Sequence, residues 1–182
     1  MANHITGAGR WYNTASHGST GRKGKGDRRR CDPSRCAMRY KAGTVGRVLL
    51  ARFDHGEQVV PALQGLCGKE GISAGWFFLF GAIAGGRLVA GPREAALPPD
   101  PVWQEFRDPF EIVGMGSIAS GDGPPSIHLH SSLGRGKEVL TGCIRKEGEV
   151  FVVVEAMILE VLGVRATRSR DERSGLELLT VE

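Results

Sequence analysis

Apolar positions along most of this chain follow the two-residue period of β-strands, and one early stretch follows the period of a helix. Residues 47–53 predict the first strand. Apolar residues then recur at helical spacing, at Val59, Leu63, Leu66 and Cys67. Asp54 is a candidate cap for this helix, and Gly71 is expected to end it, because glycine readily adopts the left-handed conformation of helix C-termini. Cys67 falls on the apolar face and is expected to pack in the core.

The rest of the chain predicts strands separated by turns. Residues 76–80 are so apolar that we expect a strand buried on both faces, ended by the glycines at 81, 85 and 86. Residues 91–109 hold five of the nine prolines and predict an irregular loop. Further strands are expected over residues 110–118, 126–130, 149–162 and 176–181. The pattern as a whole predicts a single α+β domain, in which one early helix packs on a mainly antiparallel, twisted sheet of about seven or eight strands.

Metal-ligand chemistry is concentrated in one of these strands. His128 and His130 are two residues apart, so that a strand would place both imidazoles on the same face. Cys143 follows thirteen residues later as a third candidate ligand. Two imidazoles and a thiolate suit Zn²⁺ and leave a fourth coordination position open. The alternative is a pair of surface histidines with a buried small thiol.

The chain's basic charge is confined to residues 1–38. This segment has eight Lys or Arg and two Asp, a net charge of +6, whereas residues 39–182 have a net charge of −2. The segment is rich in glycine and polar residues, shows no hydrophobic period, and is expected to be disordered. We expect residues 39–182 to form the folded domain. A cluster in the basic segment could contact a DNA backbone: Arg22, Lys23, Lys25, Arg28, Arg29 and Arg30. Two alternatives are that the run is merely solvated, or that the segment is upstream sequence and translation begins at Met38.

The composition argues against several classes of protein. No apolar run is long enough to span a membrane, and no signal peptide is recognisable at the N-terminus. The four cysteines are too few and too irregularly spaced for a disulfide scaffold. A cytoplasmic location with reduced thiols is therefore expected. Cys31 and Cys36 lack a second ligand pair nearby and give little support for a zinc knuckle.

Taken together, these motifs resemble the plant and prokaryote conserved (PPC) domain family, earlier described as predicted DNA-binding proteins. The resemblance runs from about residue 47 to residue 162. Its pieces, in order, are Gly56-Glu57, Gly81-Ala82-Ile83, Phe110-Glu111-Ile112, His128-Leu129-His130 and Thr141-Gly142-Cys143. The family implies a compact α+β domain that assembles as a homotrimer. Its fold also looks like that of acetolactate decarboxylase, which holds zinc with three histidines.

The resemblance bears on the metal site in two ways. The family usually has histidine where this chain has Cys143, and this departure either preserves a zinc site or abolishes it. Glu111 could then assist as a proton shuttle, or it could be a salt-bridged strand residue. Four cations flank the site in sequence and could attract an anionic ligand, although a solvated hairpin surface also accounts for them: Arg135, Lys137, Arg145 and Lys146.

Three functions fit these patterns. The first is an oligomeric DNA-binding or regulatory PPC-domain protein that carries a His-His-Cys metal site. The second is a zinc-dependent enzyme or small-ligand receptor that uses the open metal position, of lyase or hydrolase type. The third is a trimer in which zinc has only a structural role. The sequence has no cofactor fingerprint such as a glycine-rich phosphate loop before a helix.

Overall fold

The computed structural model describes residues 38–121 and 123–182, and of Lys146 it describes only the backbone. The basic residues predicted to contact DNA therefore lie outside the described residues, as do Cys31 and Cys36. Where the chain is described, no helix is long and apolar enough to cross a membrane.

The described chain forms eight strands and one helix. In chain order these are β1 (Thr44–Asp54), α1 (Val59–Glu70), β2 (Ala74–Pro92), β3 (Pro101–Phe106), β4 (Phe110–Ala119), β5 (Ser126–Arg135), β6 (Glu138–Leu162), β7 (Ala166–Arg170) and β8 (Glu177–Val181). Six strands pair antiparallel in the order β1-β6-β5-β4-β2-β3, and β7 pairs with β8 in a separate two-stranded ribbon. The predicted α+β class, with one early helix and about eight strands, is confirmed.

The sheet curls because its two longest strands, β2 and β6, also pair with each other. Strands β2, β4, β5 and β6 thereby form a closed circuit of pairings. Gly81 does not end β2 as predicted; instead it adopts a φ of 138° where the β2–β6 register shifts. A side chain at this position would collide with the Val153 carbonyl, so that glycine permits the close approach of the two backbones.

The inner face of the sheet packs on helix α1 and forms the core. Phe77, Leu79 and Ile112 are almost completely buried there, together with Leu63 and Cys67 from the helix. The predicted position of Cys67 is therefore confirmed.

The two ends of α1 differ in how well the sequence predicted them. Gly71 ends the helix in the left-handed conformation, with a φ of 67°, as expected. The prediction that Asp54 caps the helix is wrong, because β1 continues to Asp54 and the N-cap is Gln58, which makes no side-chain cap hydrogen bond. The Asp54 carboxylate instead pairs with Arg52 at 2.7 Å.

The prediction that residues 76–80 are buried on both faces is also wrong. Phe77 and Leu79 point into the core, but Trp76, Phe78 and Phe80 are 50%, 43% and 58% exposed on the opposite side. Neighbouring strands add further exposed apolar side chains in register with these three. We call this surface the outer apolar face; it comprises Val48, Leu50, Trp76, Phe78, Phe80, Val113, Met115 and Met157.

The proline-rich stretch contains a strand that the sequence did not reveal. Strand β2 extends to Pro92, and β3 begins at Pro101 and pairs with β2 alone among the described strands. Proline lacks a backbone donor but is tolerated on an edge strand or as the first residue of a strand, and Pro101 meets both conditions. The prolines at 98 and 99 remain in the loop between the two strands.

An ion pair joins β1 to β6 and carries a testable pH dependence. The Arg47 guanidinium donates to both carboxylate oxygens of Glu160, at 2.9 and 3.0 Å, and the Arg47 backbone N–H donates to the same carboxylate. These hydrogen bonds lower the pKa of Glu160 from 4.5 to about 2. A lowered pKa in the folded state stabilises the fold above pH 4.5, and this contribution is lost as the pH falls toward 2.

We therefore expect the wild-type protein to be more stable than Glu160→Gln at neutral pH, and the difference to shrink as the pH falls from about 5 to about 2. Urea denaturation of both proteins across this range measures the free energy of unfolding at each pH. A difference that is constant with pH would show that the Glu160 carboxylate contributes no proton-linked stability.

Candidate metal centre

The three candidate metal ligands lie side by side on the outer side of the sheet. His128 and His130 are in β5, and Cys143 in β6 is the cross-strand partner of His130. Side chains at paired positions of an antiparallel sheet project to the same face. The pairing thus brings together three residues that the sequence separates by up to fifteen positions.

The ligand atoms converge closely enough for one ion. The His128 and His130 Nε2 atoms are 3.1 Å apart, with the two rings nearly perpendicular. One ring nitrogen of each histidine and the Cys143 Sγ all lie within 4.8 Å of one another. A tetrahedral zinc ion needs nitrogens about 3.3 Å apart and a sulfur about 3.6 Å from each nitrogen. The candidate donor atoms are close enough together to share one ion, and two imidazole nitrogens with one thiolate are a donor set that suits zinc.

Burial and nearby charge favour the neutral imidazole that a metal requires. Desolvation, followed by the charges of Arg168, His130 and Arg145, lowers the pKa of His128 to about 4. Burial raises the pKa of the Cys143 thiol, while Arg145 and Arg168 oppose that rise. His128 is therefore neutral at pH 7, and a bound metal would displace the thiol proton of Cys143.

A cavity of about 620 Å³ adjoins the cluster, between the β7–β8 ribbon and the outer side of β4, β5 and β6. Among its lining residues are His128, Cys143, Arg145 and Arg168. Arg168 donates a hydrogen bond of 2.8 Å to the hydroxyl of Ser117, which is the cross-strand partner of His128. A cavity of similar volume, about 590 Å³, lies between β1 and α1 and includes none of the candidate ligands.

The metal cluster also continues the outer apolar face. In one row across the sheet, Met157 pairs with Phe78, Phe78 with Met115, and Met115 with His130. Cys143 completes the row. Whatever covers the outer apolar face will therefore border the metal cluster.

Glu111 is not brought into the cluster. It lies on the outer side of β4, but four residues along the strand from Met115, a separation of about 13 Å. In the described chain Glu111 therefore lies apart from the candidate ligands.

The flanking cations separate into different environments. Arg135 pairs with Asp108 at 3.0 Å, whereas Arg145 lines the cavity beside the cluster. Sequence reasoning missed Ser117 and Arg168. No sequence signal connects these two residues, because they are 51 positions apart and Arg168 lies in a short polar strand that the pattern did not predict.

Comparison with known proteins places the chain in a family. A metal-containing protein from Archaeoglobus fulgidus is 28% identical, with a TM-score of 0.71, over 79% of this chain and 99% of that one. A plant- and prokaryote-conserved (PPC) protein from Pyrococcus horikoshii is 26% identical, with a TM-score of 0.69, over 79% of this chain and 97% of that one.

A predicted DNA-binding protein from Ralstonia eutropha shares the fold at 22% identity, with a TM-score of 0.63, over 73% of this chain and 90% of that one. No match was found among proteins of curated function. Residues 40–162 match the sequence profile of the Plants and Prokaryotes Conserved domain. This chain therefore belongs to the Plants and Prokaryotes Conserved (PCC) domain family, the PPC family that its motifs resemble.

Proposed function

We propose that this protein is a zinc-binding, homotrimeric regulatory protein that contacts DNA through its basic N-terminal segment. The observation that carries the proposal is the convergence of the His128, His130 and Cys143 ligand atoms within 4.8 Å. Two imidazoles and a buried thiol form a donor set for a borderline-soft ion, and the cavity leaves room for a fourth ligand. A thiolate ligand also suits a reducing compartment, so that we place the protein in the cytoplasm.

Relatives support the metal and DNA parts of the proposal in different ways. The Archaeoglobus fulgidus protein is described as metal-containing. Proteins of the same fold from Ralstonia eutropha and Bacteroides thetaiotaomicron are described as predicted DNA-binding proteins. Zinc bound by His128, His130 and Cys143 would supply Lewis acidity at its open position, and these three residues would hold and orient the ion.

Metal content tests the zinc proposal. We expect about one zinc per chain in the full-length protein purified without a histidine tag, and a loss of at least nine-tenths of it in Cys143→Ala, because two imidazoles alone bind zinc weakly. Elemental mass spectrometry gives the ratio. The matched control is the double variant Cys31→Ser/Cys36→Ser, which also removes thiols and should retain the metal. Full zinc content in Cys143→Ala would contradict this ligand assignment.

Self-association is the second part of the proposal. Soluble monomers rarely expose contiguous apolar patches of more than a few hundred Å². The outer apolar face holds eight large exposed apolar side chains on four strands, β1, β2, β4 and β6. We propose that copies of this chain cover that face; that there are three of them is what the family resemblance implies.

DNA contact is assigned to the N-terminal segment because of where the charge lies. Residues 1–38 have a net charge of +6, whereas residues 39–182 have a net charge of −2 and offer no general attraction for a phosphate backbone. The proposed contact residues are Arg22, Lys23, Lys25, Arg28, Arg29 and Arg30. These residues would bind with little base specificity, because contacts to phosphates carry no direct sequence information.

Replacing all six basic residues by glutamine is expected to weaken duplex binding at 50 mM salt by at least about a hundredfold. The reason is that binding of the variant would no longer release the DNA counterions that these six positive charges displace. Fluorescence anisotropy with a labelled duplex measures the affinity, and the salt dependence should flatten in the variant. A control variant with Arg39, Arg52, Arg93, Arg107, Arg165 and Arg173 replaced by glutamine should retain most of the affinity. Unchanged affinity in the first variant would contradict the assignment.

A second candidate function, a zinc-dependent enzyme or small-ligand receptor, is favoured by one observation. The cavity beside the cluster is within the usual size range of small-molecule sites and includes both His128 and Cys143 in its lining. The open metal position and the cavity would then bind the same ligand. A regulatory role and a ligand-binding role are compatible, since a bound ligand could control association with DNA.

A further inference from the structure

The β7–β8 ribbon builds one wall of the cavity beside the metal cluster. Arg168, Arg170 and Glu177 come from this ribbon, and Arg145 comes from β6 on the opposite side. The ribbon lies outside residues 40–162, which match the family profile. The residues that it adds to the site therefore lie outside the stretch that matches the family profile.

Hydrogen bonds hold Arg168 in place at the cavity, but one of its donors has no partner among the described residues. One terminal nitrogen donates to the Ser117 hydroxyl at 2.8 Å, and the other donates to the Glu177 backbone carbonyl at 3.4 Å. Its Nε is buried and has no hydrogen-bond partner among the described residues. Neither acceptor is a carboxylate, so that the guanidinium charge is not neutralised by these contacts. A buried donor without a partner is costly unless a ligand satisfies it.

The net positive charge of the cavity lining favours the binding of an anion. Arg145, Arg168 and Arg170 contribute three positive charges, and Glu177 is the one acidic residue among the described lining residues. A zinc ion with one thiolate ligand adds a further net positive charge. Arginine binds carboxylates and phosphates through paired hydrogen bonds, and an open zinc position accepts an anionic oxygen.

Apolar side chains form much of the remaining lining of the cavity, together with Ser117 and Ser126. Trp76, Ile127, Ile144, Leu176 and Leu178 line it. A volume of about 620 Å³ is far more than a lone inorganic anion fills. Pockets of several hundred Å³ with apolar walls and a few polar groups are typical sites for small organic molecules.

We propose that this cavity binds a small organic anion, whose carboxylate or phosphate group spans Arg168 and the open metal position, and whose apolar body packs against the β7–β8 ribbon. This inference rests on the proposed zinc site and specifies its ligand. Ser117 is a positioning residue, because it holds the guanidinium of Arg168 next to the strand that carries His128.

Cobalt substitution allows metal binding and anion binding to be read separately. Co²⁺ bound to a thiolate and two imidazoles absorbs visible light, and its bands shift when an anion enters the open position. The full-length Cys31→Ser/Cys36→Ser protein with one bound Co²⁺ is titrated with benzoate, phenyl phosphate, acetate and benzyl alcohol. We expect benzoate or phenyl phosphate to shift the bands at lower concentration than acetate, which lacks the apolar body. Benzyl alcohol, which lacks the charge, should leave them unchanged.

Arg168→Gln tests the residue that carries the inference. We expect its affinity for the preferred anion to fall about ten- to hundredfold, the usual effect of losing hydrogen bonds to a charged group. The anion affinity of Arg168→Lys should lie between those of the parent protein and Arg168→Gln, because lysine retains the positive charge but lacks the paired donors of arginine. Arg165→Gln is the matched control: it removes the same charge just before β7, where Arg165 pairs with Glu182 rather than lining the cavity. Its affinity should match that of the parent protein.

The possible outcomes distinguish failure of the anion site from failure of the metal site. Bound cobalt with no anion response, or an equal response in Arg168→Gln, would overturn the anion site and leave the metal site standing. Failure to bind cobalt or zinc at all would overturn the metal site and the anion site with it. Unchanged cobalt bands of Arg168→Gln before anion is added, together with an unchanged circular dichroism spectrum, would show that the variant is folded.

Discussion

If copies of the chain cover the outer apolar face as proposed, replacing Phe78 by glutamate is expected to convert the proposed trimer into folded monomers. Phe78 lies in the middle of the outer apolar face, paired with Met115 on one side and Met157 on the other. A carboxylate at this position would have to be desolvated when copies associate, at a cost of several kcal/mol with no partner to offset it. In the single chain the side chain of residue 78 is 43% exposed, so that the substitution should leave the fold intact.

Light scattering coupled to size-exclusion chromatography measures the mass of each variant. Leu97→Glu is the matched control, because Leu97 is 59% exposed in the loop between β2 and β3 and does not belong to the outer apolar face. We expect about 58.5 kDa for the wild-type and Leu97→Glu proteins, three times the 19.5 kDa chain, and about 20 kDa for Phe78→Glu. A wild-type protein that runs as a monomer, or a Phe78→Glu protein that remains trimeric, would contradict the assigned interface.

Removal of zinc is expected to lower the melting temperature by about 10 °C. A metal that binds only the folded state stabilises it by about 4 kcal/mol when its free concentration is a thousand times the dissociation constant. For a chain of this length, each kcal/mol corresponds to about 2–4 °C in melting temperature. The candidate ligands come from β5 and β6, so that a zinc ion bound to them would cross-link the two strands directly.

Calorimetry with and without a chelator measures this shift, and added zinc should restore the original melting temperature. In Cys143→Ala the chelator should have little effect, because the site lacks its third ligand. Equal melting temperatures of the wild-type protein with and without chelator would mean that the metal does not stabilise the fold. A chelator effect that persists in Cys143→Ala would point to other ligands.

The spacing of apolar residues predicted those elements that bury one face against the core. The helical spacing of Val59, Leu63 and Cys67 and the glycine at 71 were sufficient for α1. Burial of β2 was predicted wrongly because five consecutive large apolar residues suggest two covered faces, whereas the described chain covers only one of them. Strand β3 was missed because prolines at strand ends and in the adjoining loop dominate its sequence signal.

The metal cluster was predictable in part. Alternation along a strand put His128 and His130 on one face, but the pairing of His130 with Cys143 depends on the β5–β6 register, which the spacing alone does not fix. Cys143 was still named as the third candidate ligand from its chemistry, and the family resemblance supported that choice because the family usually has histidine at this position. Arg168 could not be predicted, because its contact with Ser117 depends on how the β7–β8 ribbon packs against the sheet, and neither partner stands out in the sequence.

Zinc K-edge X-ray absorption of the full-length protein tests the central claim most directly, because it counts the atoms bound to the metal. Coordination by His128, His130 and Cys143 predicts one sulfur at about 2.3 Å and three nitrogen or oxygen atoms at about 2.0–2.1 Å, of which two show imidazole scattering. A shell with no sulfur would remove Cys143 from the site. A shell with two or more sulfurs would place the zinc on other cysteines, such as Cys31 and Cys36, and contradict the account.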